Sequence, residues 1–233
     1  HIIIMIKTDK YGIVFNKLKS NTLVKWNLYT QHKFVQKVSD GSLDKKLYLK
    51  YLKQDYVFLI HFSRAWALLV AKSKSVNEMR IASATLDALV NEEIQLHIKT
   101  CKDEGITEEQ LFKTEEELNN LAYTRFVLEA GYSGGFLDLL VALAPCVFGY
   151  GEIGLNLKSI SKSDNPYISW IDTYNSTEYQ EVCMNIGSLL DEATQDRLGK
   201  DFANNVLWPK LEKTFLIATK LEIDFWEMSL KLE

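Results

Sequence analysis

Residues 43–72 read LDKKLYLKYLKQDYVFLIHFSRAWALLVAK, a run with no glycine or proline. Leu52, Phe58, Leu59, Phe62 and Trp66 recur at three- and four-residue steps, and Asp55 falls in the same stripe. That spacing turns one face of a 3.6-residue helix apolar and predicts a single long helix here. Working outward, the same period continues. Ser75-Val76-Asn77-Glu78 has the pattern of a capping box and opens a helix through Leu86, Leu89, Val90 and Ile94 to Gly105. Thr107-Glu108-Glu109-Gln110 opens a short piece, and Thr114-Glu115-Glu116-Glu117 a helix reaching about Ala130. Gly131 to Gly135 interrupts the chain before an apolar helix over Gly134 to Gly151.

Ser163-Asp164-Asn165-Pro166 is the next stop, with Pro166 suited to a first helical turn. A short helix is expected around Trp170, another from Ser176 to Leu198, and a last one ending near Leu230 that Pro209 opens or kinks. Period-two alternation is missing outside the first dozen residues, and no repeat or low-complexity linker divides the chain. The reading is all-α: one domain over 1–233, an up-and-down helical bundle, with residues 1–11 as a flexible or appended arm.

Composition agrees. The 233 residues hold 3 Pro and 11 Gly, too few breakers for an all-β fold, which needs a turn about every 8–12 residues. With 27 Lys+Arg against 31 Asp+Glu, the net charge of −4 offers no basic stripe for a phosphate backbone, so nucleic acid is not an expected partner. Cys101, Cys146 and Cys183 are odd in number and widely spaced, neither a disulfide framework nor a zinc pattern, which suits the cytoplasm. The Ile2–Ile6 run is too short for a signal-peptide core. The apolar stretch from Gly134 contains Asp138, Pro145 and several glycines, so a buried core helix is expected and no membrane span.

Chemistry is sought where polar groups interrupt apolar stripes. Asp55 lies among Leu52, Phe58, Leu59 and Phe62; Glu222 has Ala218 before it and Phe225, Trp226 and Ser229 after it. A carboxylate on such a face is costly unless something donates to it. Cys146 has Leu143 and Tyr150 on its face, and Pro145 before it removes a backbone donor, which leaves the Val141 carbonyl free. Tyr123 shares a face with Asn119, Asn120, Phe126 and Val127. Each has a plain alternative: a core thiol, a structural ion pair, a tyrosine whose hydroxyl is satisfied in the core. His1, His32, His61 and His97 form no metal pattern, and His61 reads as a satisfied interior or rim residue. The alternating glycines of 149–154 lack a preceding strand and indicate close helix approach, not a dinucleotide site. A thiol, two carboxylates and several aromatics in a helical bundle suit a flat nitrogen-containing ring.

The segments Tyr51-Leu52-Lys53-Gln54-Asp55-Tyr56, Gly134-Gly135, Ala144-Pro145-Cys146, Tyr150-Gly151-Glu152-Ile153-Gly154, Trp170-Ile171 and Glu222-Ile223-Asp224-Phe225-Trp226 occur in that order. Together they resemble the TenA/thiaminase II family, over about Phe15 to Leu230. The resemblance implies a haem-oxygenase-like bundle and a hydrolase of thiamin salvage. Its members convert 4-amino-5-aminomethyl-2-methylpyrimidine to the hydroxymethyl compound and ammonia, and split thiamin into pyrimidine and thiazole. It implies Cys146 as nucleophile, Glu222 as acid/base, Asp55 as the group that bonds the ring amino and nitrogen, Tyr123, Tyr150 and Tyr174 as lining residues, and Phe58 and Phe225 as ring-stacking residues. Cys146 puts the chain in the cysteine-containing branch. Phe58, often tyrosine in relatives, and Val147, often bulkier or polar, depart from the pattern and bear on substrate choice. No cofactor and no metal are implied, and relatives are commonly homotetramers. Two rivals stand beside this reading. One is a non-catalytic pyrimidine- or thiamin-binding or regulatory protein on the same bundle. The other is a haem or diiron bundle, which would want a Glu-x-x-His pair that Glu92, Glu93 and Glu152 do not supply.

Overall fold

The structure is a computed structural model and describes residues 9–232. The elements are α1 (Ile13–Asn21), α2 (Leu23–Thr30), α3 (Lys33–Asp40), α4 (Lys45–Lys72), α5 (Val76–Ala88), α6 (Ile94–Asp103), α7 (Glu108–Phe112), α8 (Leu118–Ser133), α9 (Phe136–Ile160), α10 (Ile168–Asn175), α11 (Thr177–Leu198) and α12 (Trp208–Ser229). Among the described residues there is no strand, as the all-α reading expects.

The decisive stretch forms one unbroken 28-residue helix, α4. Asp44 caps it, its side chain accepting from the Lys46 amide at 2.7 Å. Other starts differ from the expected ones. Ser75 caps α5 by accepting from the Glu78 amide, but the Glu78 carboxylate reaches back to the Lys74 amide instead of closing the box on Ser75. The box at Thr107 and Gln110 forms in full. The box expected at Thr114 does not form, and residues 114–117 are not helical. The Glu117 amide donates to Gln54 Oε1 at 3.1 Å and the Glu117 carboxylate pairs with Lys50 at 2.8 Å, so both groups a box needs are engaged by α4. Pro166 lies in a turn two residues ahead of α10, not within it, because Asn165 organises that turn by bonding the Val38 and Ser39 carbonyls and the Tyr167 amide. Pro209 opens α12 as its second residue.

Of the expected N-terminal arm, residues 1–8 lie outside the described residues. Residues 9–11 belong to the fold: they form a short 3-10 turn, and Tyr11 is fully buried with its hydroxyl donating to Gln180. The expected helix from Ser75 to Gly105 is divided by a π-helical turn over Leu89–Glu93, which inserts a residue between α5 and α6.

The chain divides into two compact units. One takes the described residues up to Leu43 with Ala144–Ile223; the other takes Asp44–Leu143 and the described residues from Asp224 on, so the division falls inside α9 and α12. The first has an aromatic core in which Phe15 lies 4.3 Å from Phe148 and Trp26 stacks on Phe215 at 5.6 Å. Beside it is a part-buried ion pair, Lys19 to Glu152 at 2.8 Å, with Trp26 Nε1 donating to the same carboxylate. The glycines of the 149–154 segment lie inside α9 and admit close neighbours, as their spacing indicates: Gly149 faces the Tyr29 ring and Gly154 the backbone of Tyr174. In the second unit Tyr51, Phe58, Phe62, Trp66, Tyr123, Phe225 and Trp226 are buried. Helix α9 is long and apolar enough to cross a membrane, and 89% of its apolar window is buried inside the protein.

Candidate active site

The candidate residues fall into two groups, one in each unit. In the second unit Asp55 stands on α4 one turn before Phe58. The Phe58 ring lies 4.9 Å from that of Tyr123 on α8 and 5.7 Å from that of Phe225 on α12. These three rings, all buried, make an aromatic cluster around one turn of α4. Tilted and edge-on geometries such as these (50° and 68°) are the favoured packings of aromatic quadrupoles.

Asp55 is 3% exposed. A carboxylate that deep requires donors, and two are present: His97 Nε2 at 2.7 Å and the Tyr51 hydroxyl at 3.4 Å, both on Oδ2. His97 is buried on α6, and its Nδ1 lies 2.9 Å from the Glu93 carbonyl. Burial opposes charge on His97, but the hydrogen bond and charge of Asp55, together with Glu93, outweigh it and raise the imidazole above its ordinary value. Sequence reasoning considered His97 only as a metal ligand and missed this pairing. The available signal was its place on α6, buried with Ile94 three residues before and Cys101 four after, where an imidazole needs a partner.

In the first unit Cys146 lies on α9 and Tyr150 one turn further on. Tyr150 packs edge-on against Tyr174 of α10 at 4.8 Å, and Trp170 lies 4.8 Å from Tyr174. Glu222 on α12 is 2% exposed, so it points inward as its stripe predicts. The backbone on both sides of Cys146 is tied by side chains. The Tyr29 hydroxyl donates to the Pro145 carbonyl at 3.1 Å, and the Tyr179 hydroxyl donates to the Val147 carbonyl at 3.1 Å. The Cys183 thiol donates to that same carbonyl at 3.5 Å. None of these three ties is visible in sequence spacing.

None of the three cysteines is in a disulfide; Cys101 and Cys183 are buried, whereas Cys146 is half-buried. Burial pushes the Cys101 thiol up to about 11, against the pull of Lys53, so it stays protonated and unreactive near neutral pH. Accessibility thus separates Cys146 from two structural thiols. His61 is paired, its Nε2 2.6 Å from Glu116, in keeping with the rim reading. Among the described residues no group of three His, Cys, Asp or Glu side chains could hold a metal ion.

Known proteins share this architecture. A solved structure from Shewanella denitrificans OS217, described as having a heme oxygenase-like fold, matches with a TM-score of 0.68 at 16% identity, over 93% of both chains. The fold is therefore haem-oxygenase-like. A structure from Silicibacter sp. TM1040, described as a TenA family transcription regulator, is 51% identical with a TM-score of 0.95, covering 97% of this chain and 100% of that one. The aminopyrimidine aminohydrolase of Halalkalibacterium halodurans is 38% identical over 206 residues, 88% of this chain and 89% of that protein. The model of the TENA/THI-4/PQQC family matches residues 20–232, and the chain belongs to that family.

Proposed function

We propose that this protein is an aminopyrimidine aminohydrolase, a hydrolase of carbon–nitrogen bonds. Its substrate is 4-amino-5-aminomethyl-2-methylpyrimidine, which reacts with water to give the 5-hydroxymethyl compound and ammonia; thiamin is cleaved by the same chemistry. The observation that carries this is the 38% identity, over nearly the whole chain, to a protein of that name. The half-buried Cys146 and the buried Asp55 and Glu222 supply residue types the reaction needs.

In this reading Cys146 Sγ adds to a carbon of the pyrimidine ring while Glu222 delivers a proton to a ring nitrogen. The electron pair so placed in the ring expels the amine, or the thiazole of thiamin, from the exocyclic carbon. Water adds at that carbon and gives up a proton that balances the one carried off in ammonia, and loss of the Cys146 thiolate with return of the ring proton to Glu222 restores the ring. Asp55 accepts from the ring amino group, and from the neighbouring ring nitrogen when that nitrogen is protonated. Phe58 and Phe225 stack on the ring, and Tyr123, Tyr150 and Tyr174 line the site. Salvage of thiamin fragments, a cytoplasmic location and a homotetramer belong to the same reading, and three cysteines outside disulfides suit a reducing compartment.

The test is purified protein with the aminomethylpyrimidine and with thiamin, following ammonia and hydroxymethylpyrimidine. Turnover of at least one substrate is expected. Absence of turnover with both overturns the reading in favour of a ligand-binding or regulatory protein, the reading that the name of the Silicibacter neighbour favours. Against that alternative stand the net charge of −4, which disfavours a nucleic-acid partner, and the presence of both Cys146 and Glu222.

Glu222→Gln keeps the shape of the side chain and removes its proton transfer. Its kcat is expected to fall about 10²–10⁴-fold, with KM changed far less. Unchanged kcat with weakened binding would contradict the acid/base role.

A further inference from the structure

Asp55 is satisfied on one side only. Its Oδ2 accepts from both His97 Nε2 and the Tyr51 hydroxyl, while among the described residues nothing donates to Oδ1. Oδ1 is not among the fully buried atoms that lack a partner, so an oxygen without a donor is not sealed off here; it stands on a residue 3% exposed, one turn from the Phe58 ring, which packs against Tyr123 and Phe225. No described residue places a donor on that oxygen.

His97 sets the state of this carboxylate. The Glu93 carbonyl only accepts, so His97 Nδ1 carries hydrogen, and the remaining proton of the pair lies between Nε2 and Oδ2. Against the cost of burial, the hydrogen bond and charge of Asp55 raise the imidazole of His97 above its ordinary value, which shifts the shared proton toward Nε2. The π-helical turn over Leu89–Glu93 comes directly before α6 and supplies that carbonyl. One inserted residue rotates everything after it by about 100° around the helix axis. His97 thereby falls in the buried stripe with Ile94 and Cys101.

We propose that His97 is a positioning residue that acts through Asp55, fixing it by Oδ2 so that Oδ1 is presented, as an acceptor, to N–H donors of the aminopyrimidine. This rests on the reading of Asp55 as the pyrimidine-binding group. It gives a specificity rule: the ring must donate to Oδ1, so a ring with a carbonyl in place of the amino group is rejected.

The test uses H97A, H97Q, D55N and the H97A/D55N double variant, with the aminomethylpyrimidine as substrate. H97A is expected to raise KM about tenfold or more with a smaller change in kcat, as loss of one charge-assisted contact does. H97Q retains a donor and is expected to recover most of that loss. In the D55N background H97A is expected to add less than about twofold, because the group it acts through is gone. Losses that multiply, or H97Q as impaired as H97A, overturn the proposal. Long-range ¹H–¹⁵N spectra give a readout independent of turnover: both ring nitrogens of His97 protonated at neutral pH in the wild type, and one only in D55N. A neutral His97 in the wild type overturns it as well. A wild-type protein that turns over neither substrate instead defeats the functional reading.

Discussion

Cys146→Ser is expected to lower aminopyrimidine hydrolysis on the order of 10³-fold or more while leaving the fold intact. The two halves of that expectation have separate causes. Serine is nearly isosteric with cysteine, and the side chain is half-buried, so little packing is lost and Tm should stay within about 2 °C of wild type. The ties from Tyr29 and Tyr179 are to backbone carbonyls beside residue 146, so the turn that carries it is held whatever its side chain. The chemistry is what changes. A thiol yields a few per cent of thiolate near neutral pH, and its sulfur is intrinsically nucleophilic, whereas a serine hydroxyl needs a strong base at every attack. Serine at 101 or 183 supplies the control. Both thiols are buried and Cys101 is held protonated, so neither change should lower kcat more than about twofold. Near-wild-type hydrolysis by Cys146→Ser would remove the cysteine from the mechanism.

What the sequence revealed, and what it hid, follows from the range of the interactions involved. Helix α4 is legible because its period runs for 28 residues without a breaker, and local spacing decides such a segment. Helices α1 to α3 are eight or nine residues each, little more than two turns, too few for the period to stand out. The Thr114 box carries the right local pattern and still fails, because Gln54, sixty-three residues from Glu117, takes the Glu117 amide. The π turn at Leu89–Glu93 shifts register by one residue with no breaker in the composition to mark it. The site divides in the same way. Asp55 and Glu222 are conspicuous in sequence as charges within apolar stripes, and they are 3% and 2% exposed. The cluster of Phe58, Tyr123 and Phe225 joins three helices and is suggested by family resemblance, not by spacing. His97 stays hidden because its meaning lies in a partner forty-two residues away.

Gly154→Ala separates local propensity from tertiary contact, and the two predict opposite signs. Gly154 lies inside α9, where alanine is favoured over glycine by about 1 kcal/mol, so propensity alone predicts a more stable protein. A Cβ at this position would instead lie 2.4 Å from the Tyr174 carbonyl carbon and 2.8 Å from the Asn175 amide nitrogen. Those atoms are backbone at the end of α10, so no rotamer change relieves the overlap and the two helices must move apart. Forcing an extra carbon into such a contact costs about 1–3 kcal/mol and at times more. Contact with rigid backbone places Gly154 at the upper end, and the net effect is a loss of about 2 kcal/mol. For a chain of this length that corresponds to a fall in Tm of about 4–8 °C. Gly135→Ala is the matched control: its Cβ would meet only Asp138 Oδ2, at 3.8 Å, and Tm should not move by more than about 2 °C. The same displacement carries Tyr174 away from Tyr150, 4.8 Å distant and one turn before Gly154. Hydrolysis should therefore weaken at temperatures where the variant remains folded. A Tm that rises would show that α10 yields at no cost and that the close approach of these helices has no part in holding the two tyrosines.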